Sequence, residues 1–335
     1  LNAKRETGDY TVAQTYWHGR FPEPIPDLDL PGDFIPDEQS DWETGAVDVK
    51  ADILIPSDTM DRLTGVNESD SPLVKPDRVT AAIFGAFIAR LTGSEEVITG
   101  IPVSGRPHPE LETMPGPMTN LLPLRFHPTN VKPFRDYVLE ARSEISTALE
   151  HMEYRLEESH HAIIPDTVFY YRYPPYLLTD VEIPELEVRP YDLAHSRATA
   201  ALRLECREIE DGVLCTFIAD SRRFTPQTAT RWSRCFLTMA ESAASFPQRE
   251  LGELEVLPEN EKKALLMAFN DTKEKFPRDL SPWQLFEEQA ERTPDQVAAA
   301  GFVPGGNREE VSITYKRLRE SAAAMAELLK INGAG

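Results

Sequence analysis

Two apolar runs, Val97–Val103 and Leu121–Phe126, flank a stretch punctuated by Gly105, Pro107, Pro109, Pro115, Gly116 and Pro117. Runs of this length, bounded by glycine and proline clusters, read as buried β-strands joined by a Gly-Arg turn and a proline-rich loop. The chain must therefore build a sheet, and the rest of the sequence has to supply its cover.

Three helical patterns supply it. From Lys75 to Gly93, Val79, Ile83, Phe87 and Leu91 recur every fourth residue, Phe84 and Ile88 widen the stripe, Pro76 suits the first turn and Gly93 the stop. A second helix is expected from Val131 to His151, with Asn130 as its cap and Phe134, Val138, Ala141, Ile145 and Leu149 on one face. A third runs from Thr225 to Phe246 behind a Thr225 cap and Pro226, burying Ala229, Trp232, Phe236, Met239, Ala243 and Phe246. Further strands are expected at Val47–Ile55, in TVFYYRY (167–173), in LEVRPYDL (186–193), in ATAALRLECREIED (198–211) and in GVLCTFIAD (212–220), where Asp211-Gly212 favours a tight hairpin. This order of strands and helices implies an α/β fold, a mixed sheet covered by helices.

Charge narrows the function classes. With 56 acidic against 35 basic residues the net charge is -21, which repels a phosphate backbone and argues against nucleic acid or an anionic membrane as partner. No apolar run approaches a membrane span, and Cys206, Cys215 and Cys235 have neither disulfide-framework nor metal-ligand spacing, so a cytoplasmic protein without a metal site is expected. No phosphate-binding G-x-x-x-x-G-K-[ST] loop, no G-x-S-x-G and no zinc-type His/Cys spacing is present. The N-terminus has neither an initiator methionine nor a signal peptide, and the chain reads as a piece of something longer.

The residues around the first two strands also carry a resemblance. G-I-P-V-S-G-R (100–106), followed by P-G-P-M-T-N-L-L-P-L-R-F (115–126), resembles the core of the condensation domain of nonribosomal peptide synthetases, G-T-P-V-x-G-R and then I-G-x-F-V-N-T-L-P-L-R. Within the match, Gly116, Pro117, Met118, Thr119, Asn120 and Leu121 replace G-x-F-V-N-T, keeping the Asn and losing the Phe and the Thr after it. The resemblance implies the C-terminal lobe of a chloramphenicol acetyltransferase-like fold over residues 1–247. It makes Arg106, Thr119 and Asn120 tunnel or structural residues. Asn120 either ties a loop to its neighbouring strand or lines the tunnel, and Arg106 is either an ion-pair anchor or a substrate contact.

The family joins two carrier-bound acyl groups into an amide, with the second His of H-H-x-x-x-D-G in its N-terminal lobe near the attacking amine. That lobe is expected to precede Leu1, so no catalytic residue is assigned here. The only His pair, His160-His161, has its next Asp one position too far and no Gly after it. His151, Glu153 and Tyr154 occupy the place of the family's H-Q-D-x-P-F-E, without its Pro-Phe pair, and are assigned to the lobe interface.

Beyond Phe246 the sequence resembles a condensation–adenylation linker (248–270) and then the start of an adenylation domain (271–335), carried by F-N-D-T (269–272), L-F-E-E-Q-A-E-R-T-P-D (285–295) and I-T-Y-K-R-L (313–318). Thr314, Tyr315 and Leu318 fall on that domain's first core motif. Ser281, Pro282 and Gln284 form a capping-box helix start. In the linker, Leu254, Val256, Leu257, Leu265, Leu266 and Phe269 are an apolar set expected to pack.

The implied function is part of a synthetase module for antibiotic or other secondary-metabolite biosynthesis, inactive by itself. It binds no cofactor directly and works with phosphopantetheine borne by donor and acceptor carrier domains, the missing lobe and the rest of the adenylation domain. The alternative is a degenerate, non-catalytic condensation-like domain that docks the adenylation domain or a partner protein.

Overall fold

The computed structural model describes residues 8–21, 28–34, 48–65, 74–104, 106, 110, 114–116, 118–154, 165–173, 200–275, 277–302 and 310–333. The His160-His161 pair, Gly105, the LEVRPYDL segment and much of the proline-rich connector lie outside them. The polypeptide divides into two compact units, Leu1–Leu266 and Met267–Gly335.

In the first unit, six strands form one mixed sheet: β1 (Asp48–Pro56), β2 (Val97–Val103), β3 (Asn120–Phe126), β4 (Thr167–Arg172), β5 (Leu202–Ile209) and β6 (Gly212–Asp220), in the order β1-β6-β5-β4-β2-β3. β4 is parallel to both β5 and β2, and the other pairs are antiparallel. The helices are α1 (Gly8–Arg20), α2 (Ser57–Thr64), α3 (Pro76–Thr92), α4 (Phe134–Glu150), α5 (Pro226–Ser245) and α6 (Glu259–Leu266). The register fixes which side chains share a face: Phe169, Leu204, Phe217 and Ala51 are successive partners across four strands. Phe84 and Phe87 of α3 meet this row edge-on or tilted at Phe169 and Phe217, and Phe236 of α5 closes on both Phe87 and Phe217. The apolar stripes of α3 and α5 thus share one core, except that Phe246, expected to close the stripe of α5, stands past the helix end and is exposed, with the Arg249 guanidinium over its ring.

Local signals explain the ends of these helices. Gly93 takes φ 71° and its N–H closes on the Ala89 carbonyl, while the Thr225 hydroxyl accepts from Thr228 N. The Asp33 carboxylate adds to that second end, accepting from Thr225 N at 2.7 Å and from the Thr228 hydroxyl at 2.9 Å. These bonds hold its pKa below the usual carboxylate range.

Two expectations need correction. Helix α4 starts at Phe134, three residues later than Val131, and Asn130 is not its cap. The segment 247–252 runs back along 130–135 instead. Phe134 N and Arg135 N donate to Arg249 O and Pro247 O, Leu251 N and Gly252 N donate to Lys132 O and Asn130 O, and Pro133 bridges Glu250. Donors left over at a helix N-terminus must find acceptors, and here the chain that leaves α5 supplies them. Second, the hairpin turn is Glu210-Asp211, with Ile209 opposite Gly212. Gly212 is needed because it adopts φ 142° and a Cβ there would lie 2.2 Å from the Ile55 carbonyl oxygen of β1.

The linker's apolar set divides. Leu254 is buried, and Val256 and Leu257 pack against the core, but Leu265, Leu266 and Phe269 are exposed.

The Tyr137 hydroxyl, within the core, has no hydrogen-bond partner among the described residues, and burial pushes its pKa up. It fits because residue 85 is glycine: a Cβ there would lie 2.8 Å from that oxygen. An unpaired buried hydroxyl costs about 1–3 kcal/mol. Tyr137→Phe is therefore expected to leave the thermal midpoint unchanged or raise it by a few degrees. A drop of more than about 1 kcal/mol in a denaturant titration would mean that the hydroxyl has a partner in solution.

The second unit contains α7 (Pro282–Arg292), β7 (Val297–Phe302), β8 (Glu310–Thr314) and α8 (Tyr315–Ile331), with β7 antiparallel to β8. The capping box at Ser281 and Gln284 is present, Thr314 caps α8 by accepting from Arg317 N, and the Tyr315 ring lies 5.9 Å from that of Phe286. Leu318 is half-buried.

Candidate functional site

Parallel strands β2 and β4 pair at only two positions, Thr99 with Thr167 and Gly100 with Val168. The threonine hydroxyls at this root lie 3.0 Å apart, and Thr167 also donates to Ile98 O. Beyond it the strands part, and a cleft of about 780 Å³ opens between them. Ile101, Pro102 and Val103 line one side, Tyr171 and Tyr173 the other, and Ile145 and Leu149 of α4 the apolar end. Strands parting in a parallel pair leave a crevice with backbone at its root and side chains on its walls.

Several charged and phenolic groups of the cleft are paired, although Asp77 Oδ1 has no hydrogen-bond partner among the described residues. Asp77, in the first turn of α3, is buried and forms an ion pair with Arg78. Tyr171 donates to Glu208 Oε1 at 2.9 Å. Its pKa is raised by burial first and by the Glu208 contact second, and that of Tyr173 by burial and then by a hydrogen bond to Asp77. Both phenols stay protonated near neutral pH and can donate hydrogen bonds but cannot act as bases. Among the described residues no group of three or more His, Cys, Asp or Glu could hold a metal ion. The cleft can bind and orient a ligand: its two carboxylates are engaged by arginines, Asp77 by Arg78 and Glu205 by Arg172 and Arg203, and Ser104 and Thr119 add hydroxyls to its lining.

Arg106 and Thr119 both line this cleft. Arg106 is half-buried and donates to Met114 O and Gly116 O, both at 3.0 Å, bracing the loop between β2 and β3. Thr119 is exposed at the rim. Asn120 is buried at the start of β3 and donates to Met152 O and Tyr154 O, both at 2.9 Å, so it ties that strand to the turn after α4. Met152 is itself a cleft residue.

His151 and Tyr154 hold α1: the His151 carbonyl accepts from Trp17 Nε1, its ring stacks on Tyr16, and the Tyr154 hydroxyl lies 3.1 Å from His18 Nε2. Glu153 is exposed. Sequence reasoning missed Asp77, Arg78, Tyr171, Tyr173 and Glu208. The available signal was an aspartate at the start of an otherwise apolar helix and tyrosines on alternate positions of TVFYYRY, but only the fold brings α3, β4 and β5 together.

The comparisons with known proteins agree with this architecture. Tyrocidine synthase 2 of Brevibacillus parabrevis is 29% identical over 338 residues, a span that takes in 98% of this chain and only 9% of that protein. The first condensation domain of the calcium-dependent antibiotic synthetase, solved with a substrate analogue, has the same fold over 77% of this chain and 56% of its own (TM-score 0.58, 22% identity). A four-domain nonribosomal peptide synthetase, solved with AMP and glycine bound, matches 98% of this chain with 25% of its own length (TM-score 0.69, 12% identity). The family model described as "Condensation domain" covers residues 2–266, almost the whole of the first compact unit. The chain belongs to the condensation-domain family of nonribosomal peptide synthetases.

Proposed function

We propose that the first unit forms one wall of the site at which an amine on an acceptor carrier domain attacks a thioester on a donor carrier domain. The general base is the histidine of an H-H-x-x-x-D-G motif that these 335 residues do not contain. One observation carries the reading: the cleft between β2 and β4 is lined by residues 101–104 and Arg106 of the G-I-P-V-S-G-R segment and by Leu121 of the N-L-L-P-L-R segment, and its walls offer positioning groups whose carboxylates are already paired with arginines. The substrates would arrive on phosphopantetheine, an amide-containing chain to which Arg78 and Arg106 offer N–H donors and Ile101 and Val103 an apolar wall. Exposed Glu153 is the member of the assigned lobe interface that faces solvent, where another lobe would meet it.

Residues beyond Met267 are the start of an adenylation domain in this reading. The relatives' alignment through nearly the whole chain and the four-domain fold match support that reading.

The test is a chimera in which residues 1–266 replace the matching segment of a condensation domain that has H-H-x-x-x-D-G. The folded chimera is expected to join the two carrier-bound substrates, read by mass spectrometry of the carrier-bound product, and Arg106→Ala within it to slow product formation at least tenfold. A chimera with a normal unfolding transition that leaves the substrates unjoined would favour the docking-platform function instead.

A further inference from the structure

Cys206 and Cys215 are direct register partners across the β5–β6 hairpin. Hydrogen-bonded and non-hydrogen-bonded pairs alternate from the closing pair Ile209–Gly212, which places the two cysteines at a non-hydrogen-bonded pair, where opposed Cα atoms approach to about 4.5 Å. That separation lies within the range a disulfide spans. Their sulfur atoms are already 3.3 Å apart, with the Cys206 thiol donating to Cys215 Sγ. Both are buried, and the third cysteine, Cys235, is a free thiol buried on α5.

We propose that Cys206 and Cys215 form a dithiol oxidation site, which a two-electron thiol oxidant of the disulfide or azo class converts into a cross-strand disulfide. With a disulfide oxidant, one cysteine thiolate attacks an oxidant sulfur and expels the first thiol. The second cysteine then attacks the protein sulfur of the mixed disulfide and expels the second. Each cysteine sulfur gives up one electron, the oxidant gains two, and the two thiol protons end on the two released thiols.

The hairpin supplies the access. Arg207, Glu208, Ile209, Glu210 and Asp211 are exposed, and only three residue pairs separate the turn from the cysteines, so access requires the hairpin end to open together with its partners at residues 53–56 of β1 and 171–172 of β4, a local opening at one end of the sheet. Burial pushes the Cys206 thiol up, so the closed hairpin holds little thiolate and oxidation follows opening. The bond would act on the cleft as well. Tyr171 is the register partner of Cys206, and its hydroxyl is held by Glu208, two residues along the stapled strand.

The full chain, exposed to diamide while folded, then alkylated in denaturant and digested with trypsin without reduction, provides the test. Cleavage after Arg203, Arg207 and Arg222 separates residues 204–207 from 208–222 unless the two cysteines are joined. Expected are the linked pair of peptides, loss of two of the three alkylatable thiols with Cys235 still alkylated, and reversal by dithiothreitol. In Cys215→Ser, Cys206 should remain alkylatable. Three thiols still alkylatable after oxidant exposure, or linkage to Cys235 or between chains, would overturn the proposal.

Discussion

Presented with aminoacyl- and peptidyl-loaded carrier proteins, the 335-residue chain is expected to give no amide product above that of the carriers alone. On the proposed function, two separate contributions come from outside these residues. Holding both reactants in one oriented site is worth about 7–11 kcal/mol of barrier, and a single open wall cannot enclose both. A positioned general base contributes a further factor of roughly 10²–10⁴, and the titratable groups of the cleft do not supply one. Its phenols are held protonated by burial and by carboxylate neighbours, Asp77 is engaged by Arg78, and Glu205 by Arg172 and Arg203. Mass spectrometry of the carrier-bound products is the measurement. Amide formed by this chain, and lost in His160→Ala or His161→Ala, would place the catalytic histidine in the segment before Pro165 and sink the shared-site reading.

The second large effect is on folding. Gly212→Ala should cost more than about 4 kcal/mol, enough to leave much of the first unit unfolded at ordinary temperature. Strain at a positive φ accounts for about 1–3 kcal/mol of this. The rest is steric: the added carbon would sit 2.2 Å from Ile55 O, 2.9 Å from Ser57 N and 3.0 Å from Pro56 C, all backbone atoms that no rotamer change can move. Relief would require β1 to separate from β6 where Ile55 pairs with Val213, and would break the Ser57 N to Asp211 O bond. Gly93→Ala is the comparison. It also has a positive φ, 71°, but nothing within 4 Å of the added carbon, so it should cost only about 1 kcal/mol. Equal costs for the two variants in denaturant titrations would show that close approach to β1 is unimportant.

Wherever local chemistry and tertiary packing agree, the fold was readable in advance. The stripe and caps of α3, the Thr225 start of α5 and the Ser281 capping box all appear within a residue of expectation, because each is set by contacts three or four positions away. The start of α4 was not readable. Asn130 is a good cap by type, but its carbonyl is occupied by Gly252, more than a hundred residues later in the chain. The exposed half of the linker misled for a related reason: Leu265, Leu266 and Phe269 look like core by composition, and composition does not say which neighbour is present to cover them. At the candidate site, the two strands were legible as strands, but the crevice between β2 and β4 depends on where a parallel pair stops pairing, which no periodicity encodes.

The return of segment 247–252 along the start of α4 bears on how such proteins can be cut and rejoined. A fragment ended at Phe246, where the helical pattern of the lobe runs out, would strip the acceptors from Phe134 N and Arg135 N and lose Leu251 and Leu254 from the core they help to fill. The natural seam for recombination lies downstream of these residues, towards Leu266, so that each excised piece carries its own fastening with it.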